Sequence, residues 1–269
     1  MNFLLLGSMF IAVAFSAARE TKNDIDFRIV GGSTASLKQF PWQVGIHLHK
    51  RPVNAFCGGA LISRIWVLTA AHCLPNLISA TVIVGAIKVN HYLERHDSSN
   101  IEAGMRYRVI NFISHEAFKK GSLVYDAALM KLERPVVFNA YVRPVRLDDR
   151  NIVRPNIHIS IAGWGKTGTE ETQSAVLKYI DMSIVTSGEC QRFYKSRIDN
   201  RTTFCAIGSN GDNICVGDSG GPAITYRAGT AIHVGLLSFL HNSGCDLNKP
   251  VGFSRTAYFR DWISDISGI

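Results

Sequence analysis

The sequence predicts an all-β fold, because short strand-like stretches separated by turns run through most of it and only its end has helical periodicity. In residues 40–49, FPWQVGIHLH, apolar side chains alternate with Gln, Gly and His, which is the period of a half-buried strand. Five further stretches are rich in strand-forming residues and are separated by turn residues: 80–89, 106–113, 157–163, 176–185 and 231–239. Many short strands of this kind are typical of a β-sandwich or a β-barrel.

One helix is predicted, at the end of the chain. Apolar side chains there follow i, i+4 spacing and would share one helix face: Tyr258, Phe259, Trp262, Ile263 and Ile266. The stretch 139–151, NAYVRPVRLDDRN, is interpreted as the crossing between two halves of the fold. The sequence contains no internal repeat.

The N-terminal residues have the features of an export signal. Residues 3–15 carry no charge and are too few to cross a bilayer, but they suit the apolar region of a signal peptide. The small residues Ser16, Ala17 and Ala18 then supply a cleavage site. We therefore expect a signal peptide over 1–18 and a secreted, extracellular protein without a membrane anchor, although a buried N-terminal helix stays open as an alternative.

The charge of the chain does not indicate a nucleic-acid partner. The formal net charge is +8, and a basic protein can favour anionic partners. However, the basic residues are scattered, and no run of five or more occurs. A mixed, solvated surface is the favoured interpretation.

Six cysteines are present, and none of them form a Cys-x-x-Cys pair, so the pattern does not favour a zinc cluster. An even number of cysteines in an exported chain indicates disulfides. Spacing alone does not choose among the possible pairings.

A glycine-rich stretch around Ser219 points to nucleophilic catalysis. A serine hydroxyl is a weak nucleophile unless an imidazole accepts its proton, and a buried carboxylate holds that imidazole in one tautomer. The stretch 217–221, GDSGG, fits the nucleophile elbow of α/β-hydrolases, but too few residues follow Ser219 for the rest of that fold. A second template has the chain order His, Asp, Ser.

Two residues upstream complete that order. His72 ends the apolar run LTAAHC, and Asp126 begins the run DAALMKL. Taken singly, Ser219 could be a turn residue, Asp126 a cap and His72 one of nine histidines. Together, in this order, they are interpreted as a catalytic triad. Three other candidates lack such a setting and are interpreted as surface residues: Asp97, His115 and Asp148.

With these residues in place, the sequence resembles the chymotrypsin-like (trypsin family) serine endopeptidases, in particular their arthropod chymotrypsin-like and elastase-like members. The matching stretches cover essentially all of residues 29–269: IVGG at 29–32, FPWQV at 40–44, CGGALIS at 57–63, WVLTAAHC at 66–73, DAALMKL at 126–132, AGWG at 162–165 and CVGDSGGP at 215–222. The resemblance implies a protease domain of two packed six-stranded antiparallel β-barrels with a C-terminal helix. The N-terminal barrel would cover about 29–145 and the C-terminal barrel about 146–269.

The resemblance also implies a mechanism and a set of disulfides. Protein or peptide substrates would be cleaved through an acyl-enzyme in the cleft between the barrels. The backbone N–H groups of Gly217 and Ser219 would form the oxyanion hole. The implied cysteine pairs are the three that arthropod members often have: Cys57–Cys73, Cys190–Cys205 and Cys215–Cys245.

Activation by cleavage is a further implication of the resemblance. A trypsin-like protease would cut after Arg28, remove the propeptide 19–28 and free the ammonium group of Ile29. That ammonium would pair with Asp218 and order the adjoining oxyanion hole and pocket walls.

Three residues are expected to determine the substrate side chain. In the resembling family, the position of Asn213 forms the floor of the specificity pocket, and an Asp there selects Arg or Lys. Asn213 is neutral, while Leu240 and Val251 would narrow the walls. We expect elastase-like cleavage after small or medium-sized apolar residues. A wider, chymotrypsin-like pocket with Leu240 turned outward, cleaving after Phe, Tyr or Leu, stays open.

The alternative from another functional class is a catalytically silent homologue that acts as a binding or regulatory protein. All three triad residues are present, which favours the enzyme. We expect a monomer whose partners include protein protease inhibitors as well as substrates.

No metal or cofactor is expected. In the loop that holds calcium in many family members, this chain has Ala86, Lys88 and His91. Asn200 begins the sequon Asn-Arg-Thr and is a candidate for N-glycosylation.

Overall fold

The computed structural model describes residues 32–89, 104–166, 172–209, 213–241, 245 and 249–269. Within these ranges the chain forms two closed antiparallel β-barrels, each of six strands, and a C-terminal helix. The predicted all-β fold is therefore confirmed. The expected signal peptide, the propeptide, Arg28 and Ile29 lie outside the described residues.

The first barrel follows a two-residue strand, β1 (Ser33–Thr34). Its six strands are β2 (Gln43–Lys50), β3 (Ala55–Leu61), β4 (Trp66–Thr69), β5 (Leu77–Val84), β6 (Met105–Ser114) and β7 (Ala128–Leu132). They pair in the order β2-β3-β4-β7-β6-β5, and β5 pairs with β2 to close the barrel. The alternation predicted for residues 40–49 is observed for Val44, Ile46 and Leu48, which pack into the barrel interior. The expected half-burial was wrong for the start of β2, because Gln43 and Gly45 on the other face are buried as well, and Trp42 packs in a different apolar cluster.

The second barrel begins after a short strand, β8 (Arg146–Leu147). Its strands are β9 (His158–Gly163), β10 (Lys178–Ile184), β11 (Thr203–Gly208), β12 (Pro222–Arg227), β13 (Thr230–Phe239) and β14 (Val251–Arg255). They pair in the order β10-β11-β14-β13-β12-β9, and β9 pairs with β10 to close the barrel. Strand β1 also pairs with β10, so the chain crosses from the second barrel to the first just before β2.

The predicted C-terminal helix is α2 (Arg260–Ser267), preceded by a 3-10 turn at Thr256–Phe259. It ends at Gly268, whose φ of 73° is the left-handed conformation that glycine adopts without strain. Phe259 and Ile263 are buried in an apolar cluster that includes Leu129 of the first barrel and Leu236 of the second. The helix thus helps to seal the junction of the two barrels.

A second helix, α1 (Ser187–Tyr194), was not expected. The interpretation that only the end of the chain is helical was therefore wrong. Thr186 and Glu189 form a capping box, in which the Thr186 side chain accepts from the Glu189 N–H and the Glu189 carboxylate accepts from the Thr186 N–H. The Thr-x-x-Glu spacing is a helix-start signal that the sequence contained.

Three disulfides are present, and they are the three pairs implied by the resemblance. Cys57–Cys73 fastens β3 to the turn that carries His72. Cys190–Cys205 ties α1 to β11. Cys215–Cys245 joins the segment before Ser219 to the segment after β13. In the described part of the chain no cysteine is free.

Two residues interpreted as surface residues are enclosed by the fold. Asp148 is only 1% exposed, and its carboxylate accepts hydrogen bonds from the N–H groups of Arg150 and Ile152, each at 3.0 Å. The side chain of His115 is 11% exposed because it stacks on Tyr125 and packs against Trp262. The surface interpretation was wrong for both, and Asp97 lies outside the described residues. None of the described helices is long and apolar enough to span a membrane.

Candidate active site

His72 lies in a single 3-10 turn, Ala71–Cys73, directly after β4. Ala70 and Ala71 are fully buried, so the turn is packed into the first barrel. The disulfide from Cys73 fixes its end to β3. The imidazole itself is 33% exposed.

Asp126 holds His72 through two hydrogen bonds. Oδ1 accepts from the backbone N–H of His72 at 2.8 Å, and Oδ2 lies 2.7 Å from Nδ1 of the imidazole. Because an ionised carboxylate only accepts, Nδ1 carries the proton and Nε2 is left as the proton acceptor. Asp126 is 1% exposed, so this pairing is shielded from water.

A third donor to the same carboxylate comes from the other barrel. The hydroxyl of Ser238, near the end of β13, donates to Asp126 Oδ2 at 2.5 Å. Sequence reasoning missed this role of Ser238, because a serine in an apolar strand gives little signal for it. The bond joins residues 112 positions apart and links the two barrels at the carboxylate.

Ser219 stands in a tight loop that backbone hydrogen bonds hold against both barrels. Its carbonyl accepts from Gly58 N of β3 at 2.8 Å, and the N–H of Gly220 donates to Leu237 O of β13 at 2.8 Å. Gly220 has a φ of 79°, and a Cβ there would collide with the Thr69 hydroxyl and with Gly58 O. Only glycine fits this position, which explains the residue following the serine.

The disulfide sulfur of Cys73 brings Ser219 and His72 into one neighbourhood. It lies 3.9 Å from Nε2 of His72 and 3.8 Å from the carbonyl oxygen of Ser219. The hydrogen bonds of the described residues do not include one between the Ser219 hydroxyl and the imidazole. Such bonds are often long without a substrate and shorten when one binds.

The backbone around Gly217 leaves donors available. Among the described residues, neither Gly217 N nor Ser219 N is hydrogen-bonded to a protein acceptor. Gly217 has a φ of 106°, and a Cβ there would press on Gly165 and on the side chain of Gln173. These two N–H groups can therefore donate to an oxygen of a ligand bound beside Ser219.

Asp218 is buried between these two residues and is 1% exposed. Burial raises the pKa of Asp218 to about 7, although N–H groups of Gly165 and Cys215 donate to its oxygens at 2.6 and 3.3 Å. Its carboxyl fills the space where side chains at Gly163 and Gly165 would lie. In the described part of the chain no cationic side chain lies within ion-pair distance of Asp218.

The three expected pocket residues lie in the second barrel, and of the three only Leu240 is not fully buried. Asn213 is buried, and its Oδ1 accepts from Ile214 N at 2.9 Å. Ile214 and Val251 are buried in the same cluster, and half-buried Leu240 packs against it. Asp212, the neighbouring carboxylate, lies outside the described residues.

The remaining site candidates are placed as follows. Donor atoms of Cys57, His72 and Cys73 lie within 4.8 Å of one another, but the two sulfurs are bonded to each other and offer no thiolate to a metal. Ala86 is buried, and Lys88 is exposed in an isolated β-bridge with Val176, whereas His91 lies outside the described residues. Asn200 is exposed at the start of a turn.

Comparisons with known proteins are in line with this geometry. The family model described as Trypsin matches residues 29–263. A collagenase from Hypoderma lineatum is 30% identical over 275 residues, covering 100% of this chain and 99% of the relative. Coagulation factor IX from Oryctolagus cuniculus is 30% identical and covers 91% of this chain and 86% of the relative. A solved structure titled HL collagenase superposes with a TM-score of 0.77 at 30% identity, covering 89% of this chain and 99% of that one.

The buried carboxyl of Asp218 predicts an unusual pH dependence of stability. With its pKa raised to about 7, the folded, uncleaved chain holds a proton that an unfolded Asp loses near pH 4. The free energy of unfolding should therefore fall as the pH rises between about 4 and 7, by about 1.4 kcal/mol per unit at most. Asp218→Asn removes this titration.

The measurement is urea unfolding of both proteins in an Arg28→Gln, Ser219→Ala background that stays uncleaved. Between about pH 4.5 and 7.5, we expect the protein with Asp218 to lose free energy of unfolding relative to the Asp218→Asn variant. Parallel pH profiles for the two proteins would contradict the burial of an unpaired carboxyl.

Proposed function

The chain belongs to the trypsin family of serine endopeptidases, and on that premise we propose that it is secreted as a zymogen and cleaves proteins through His72, Asp126 and Ser219. The observation that carries the proposal is the buried Asp126 carboxylate. It orients the imidazole of His72 beside the loop of Ser219, while a hydroxyl of the opposite barrel completes its hydrogen bonds.

In the proposed mechanism, His72 Nε2 accepts the proton of the Ser219 hydroxyl as its oxygen attacks the substrate carbonyl. Asp126 stabilises the imidazolium that forms. The N–H groups of Gly217 and Ser219 donate to the oxyanion. His72 then protonates the leaving amine, and water releases the acyl group from Ser219 by the same steps.

Covalent labelling separates this enzyme from a silent homologue. After cleavage by trypsin, a fluorophosphonate probe should modify Ser219 alone, because only an activated serine attacks such phosphorus centres at neutral pH. Mass spectrometry of the labelled peptide locates the site. Ser219→Ala should abolish labelling and peptide hydrolysis with unchanged thermal unfolding. The matched control is Ser183→Ala, at a half-buried serine that is hydrogen-bonded to His158.

Labelling of the Ser219→Ala variant, or hydrolysis by it at the wild-type rate, would overturn the assignment of the nucleophile. A folded, cleaved protein that neither reacts nor hydrolyses peptides would instead favour a binding role.

Activation by cleavage after Arg28 is supported by the surroundings of Asp218. A buried carboxylate gains stability from a cation, and the described residues provide none within ion-pair distance. Strand pairing brings β1 close to Asp218. Thr34 of β1 pairs with Lys178 of β10, and Lys178 pairs with Gly163 of β9. Asp218 packs against Gly163. Two strand spacings are about 10 Å, and the chain from Ile29 to Thr34 can extend about 17 Å.

An ammonium group created at Ile29 can therefore reach Asp218. The proposed activating enzyme is a trypsin-like protease supplied by another chain, because the neutral Asn213 gives this protein no counter-charge for Arg28. Protein inhibitors of serine proteases are proposed as further partners.

Arg28→Gln tests the activation step. The variant should be secreted, resist cleavage by trypsin at residue 28 and remain unlabelled by fluorophosphonate, since Asp218 lacks its cation. N-terminal sequencing and labelling yield after trypsin treatment are the readouts, with Lys22→Gln in the same segment as the control. Full labelling of uncleaved Arg28→Gln protein would rule out the switch while leaving Ser219 as nucleophile.

Specificity for small or medium-sized apolar side chains is supported by the floor and walls of the pocket. A cationic side chain buried against Asn213 would lack a counter-charge, which costs several kcal/mol. Val251 is buried in the apolar cluster that includes Ile214, the neighbour of Asn213 in the chain, and half-buried Leu240 packs against that cluster, which supports branched apolar walls for the pocket. One relative is named as a collagenase, which supports proteins as the substrates of this chain.

Hydrolysis of a peptide library that varies the residue before the cut bond tests this specificity. We expect Ala, Val and Leu to dominate, and expect Leu240→Gly with Val251→Gly to increase cleavage after Phe and Tyr by removing the walls. Dominant cleavage after Arg or Lys would refute the assignment of Asn213. Dominant cleavage after Phe or Tyr by the wild type would refute the assignment of the walls.

A further inference from the structure

A cleft on the second barrel has an arrangement that the protease mechanism does not use. Its volume is about 630 Å³, and none of the triad residues lines it. Polar and cationic side chains dominate the lining: Asn151, Arg154, Asn200, Arg201, Arg255 and Tyr258. Such a volume is typical of small-ligand sites.

Arg255, at the end of β14, is fixed in the wall by neutral acceptors. Nη1 donates to Asn151 Oδ1 at 3.0 Å, and Nη2 donates to the carbonyl oxygens of Thr203 and Asn200 at 3.3 and 3.4 Å. The guanidinium also lies 5.5 Å from the ring centre of Phe204. Its Nε is buried and makes no hydrogen bond within the described residues. The cation is thus rigid but incompletely satisfied.

The charges around the cleft do not balance. Arg201 pairs with Asp199 at 2.7 Å. Arg154 donates through Nη1 only to backbone oxygens, those of Asn151 and Val153. Across the described ranges, neither Arg154 nor Arg255 has a carboxylate within 4.0 Å.

Asp148 is the acidic group that acts on Arg255 electrostatically, but its oxygens already accept backbone N–H groups. Burial lowers the pKa of Arg255, and the charge of Arg154 lowers it further. Arg154 and Arg255 therefore both line the cleft without a carboxylate in ion-pair contact among the described residues, and an anionic ligand would gain from both charges.

We propose that this cleft binds a small ligand carrying a sulfate or phosphate group, held between Arg154 and Arg255. Guanidinium groups suit the oxygens of such groups because they combine a permanent charge with N–H donors in one plane. In the described part of the chain, Arg154 keeps Nε and Nη2 for a ligand, and Arg255 keeps one N–H of Nη1. The cleft is much larger than a single oxyanion, so it has room for a sugar-sized body. Asn151, Asn200 and the Tyr258 hydroxyl offer hydrogen bonds to hydroxyl groups of that body. This binding does not depend on the triad.

The test is isothermal titration of the folded Ser219→Ala protein, produced in a host without N-glycosylation because Asn200 lines the cleft. The probes are sodium sulfate, glucose 6-sulfate and glucose 6-phosphate, with glucose and with sodium chloride at matched ionic strength as controls. We expect saturable binding of one equivalent of an oxyanion probe. Tighter binding of the glucose esters than of sulfate identifies an ester ligand, and equal binding identifies the free ion as occupant.

Arg154→Gln should weaken binding at least tenfold, since Arg154 is exposed and its loss leaves the wall intact. Arg255→Lys keeps the charge but loses the planar donor set, and should also weaken binding. Arg192→Gln, on the exposed face of α1, should change nothing. Three results would each overturn the proposal: no saturable binding of any oxyanion probe, equal binding by Arg154→Gln and wild type, or displacement by chloride at matched ionic strength.

Discussion

The carboxylate of Asp126 is the group on which the whole arrangement depends. A buried carboxylate without hydrogen bonds costs several kcal/mol, so it must be satisfied wherever the fold places it. Two of its donors belong to His72 on the first barrel, and the third is the hydroxyl of Ser238 on the second. Docking of the barrels and orientation of the imidazole are consequently one structural event.

The loop of Ser219 depends on the same docking. Gly58 of β3 donates to the serine carbonyl, and Gly220 donates to Leu237 of β13, so each barrel fixes one side of the loop. The backbones of the two barrels come this close because glycine occupies positions where a side chain would collide with the opposite barrel. Asp218 adds a second buried carboxyl beside the loop, and because it has no cation within ion-pair distance among the described residues, it is the physical basis of the proposed activation by a new ammonium group.

Local sequence patterns were sufficient to predict many of the strands and the C-terminal helix. The alternation in β2, the turn-bounded strands and the i, i+4 spacing of α2 each reflect burial of one face, which a sequence shows directly. The resemblance supplied the barrels and the disulfide pairs. Helix α1 was missed even though its Thr-x-x-Glu start is local, because only two of its side chains are buried and the apolar period is weak. The enclosure of Asp148, the Ser238 bond to Asp126 and the pairing of β1 with the second barrel are long-range contacts with no local signal.

The central claim is that Asp126, His72 and Ser219 act as one unit assembled across two barrels. The most direct measurement is kcat/KM of the cleaved enzyme for one peptide substrate, compared among Ser219→Ala, His72→Ala and the double variant. If the residues act together, the double variant should lose no more activity than the more impaired single variant, because either change already abolishes the shared step. Losses that multiply in the double variant would show independent contributions and contradict the account.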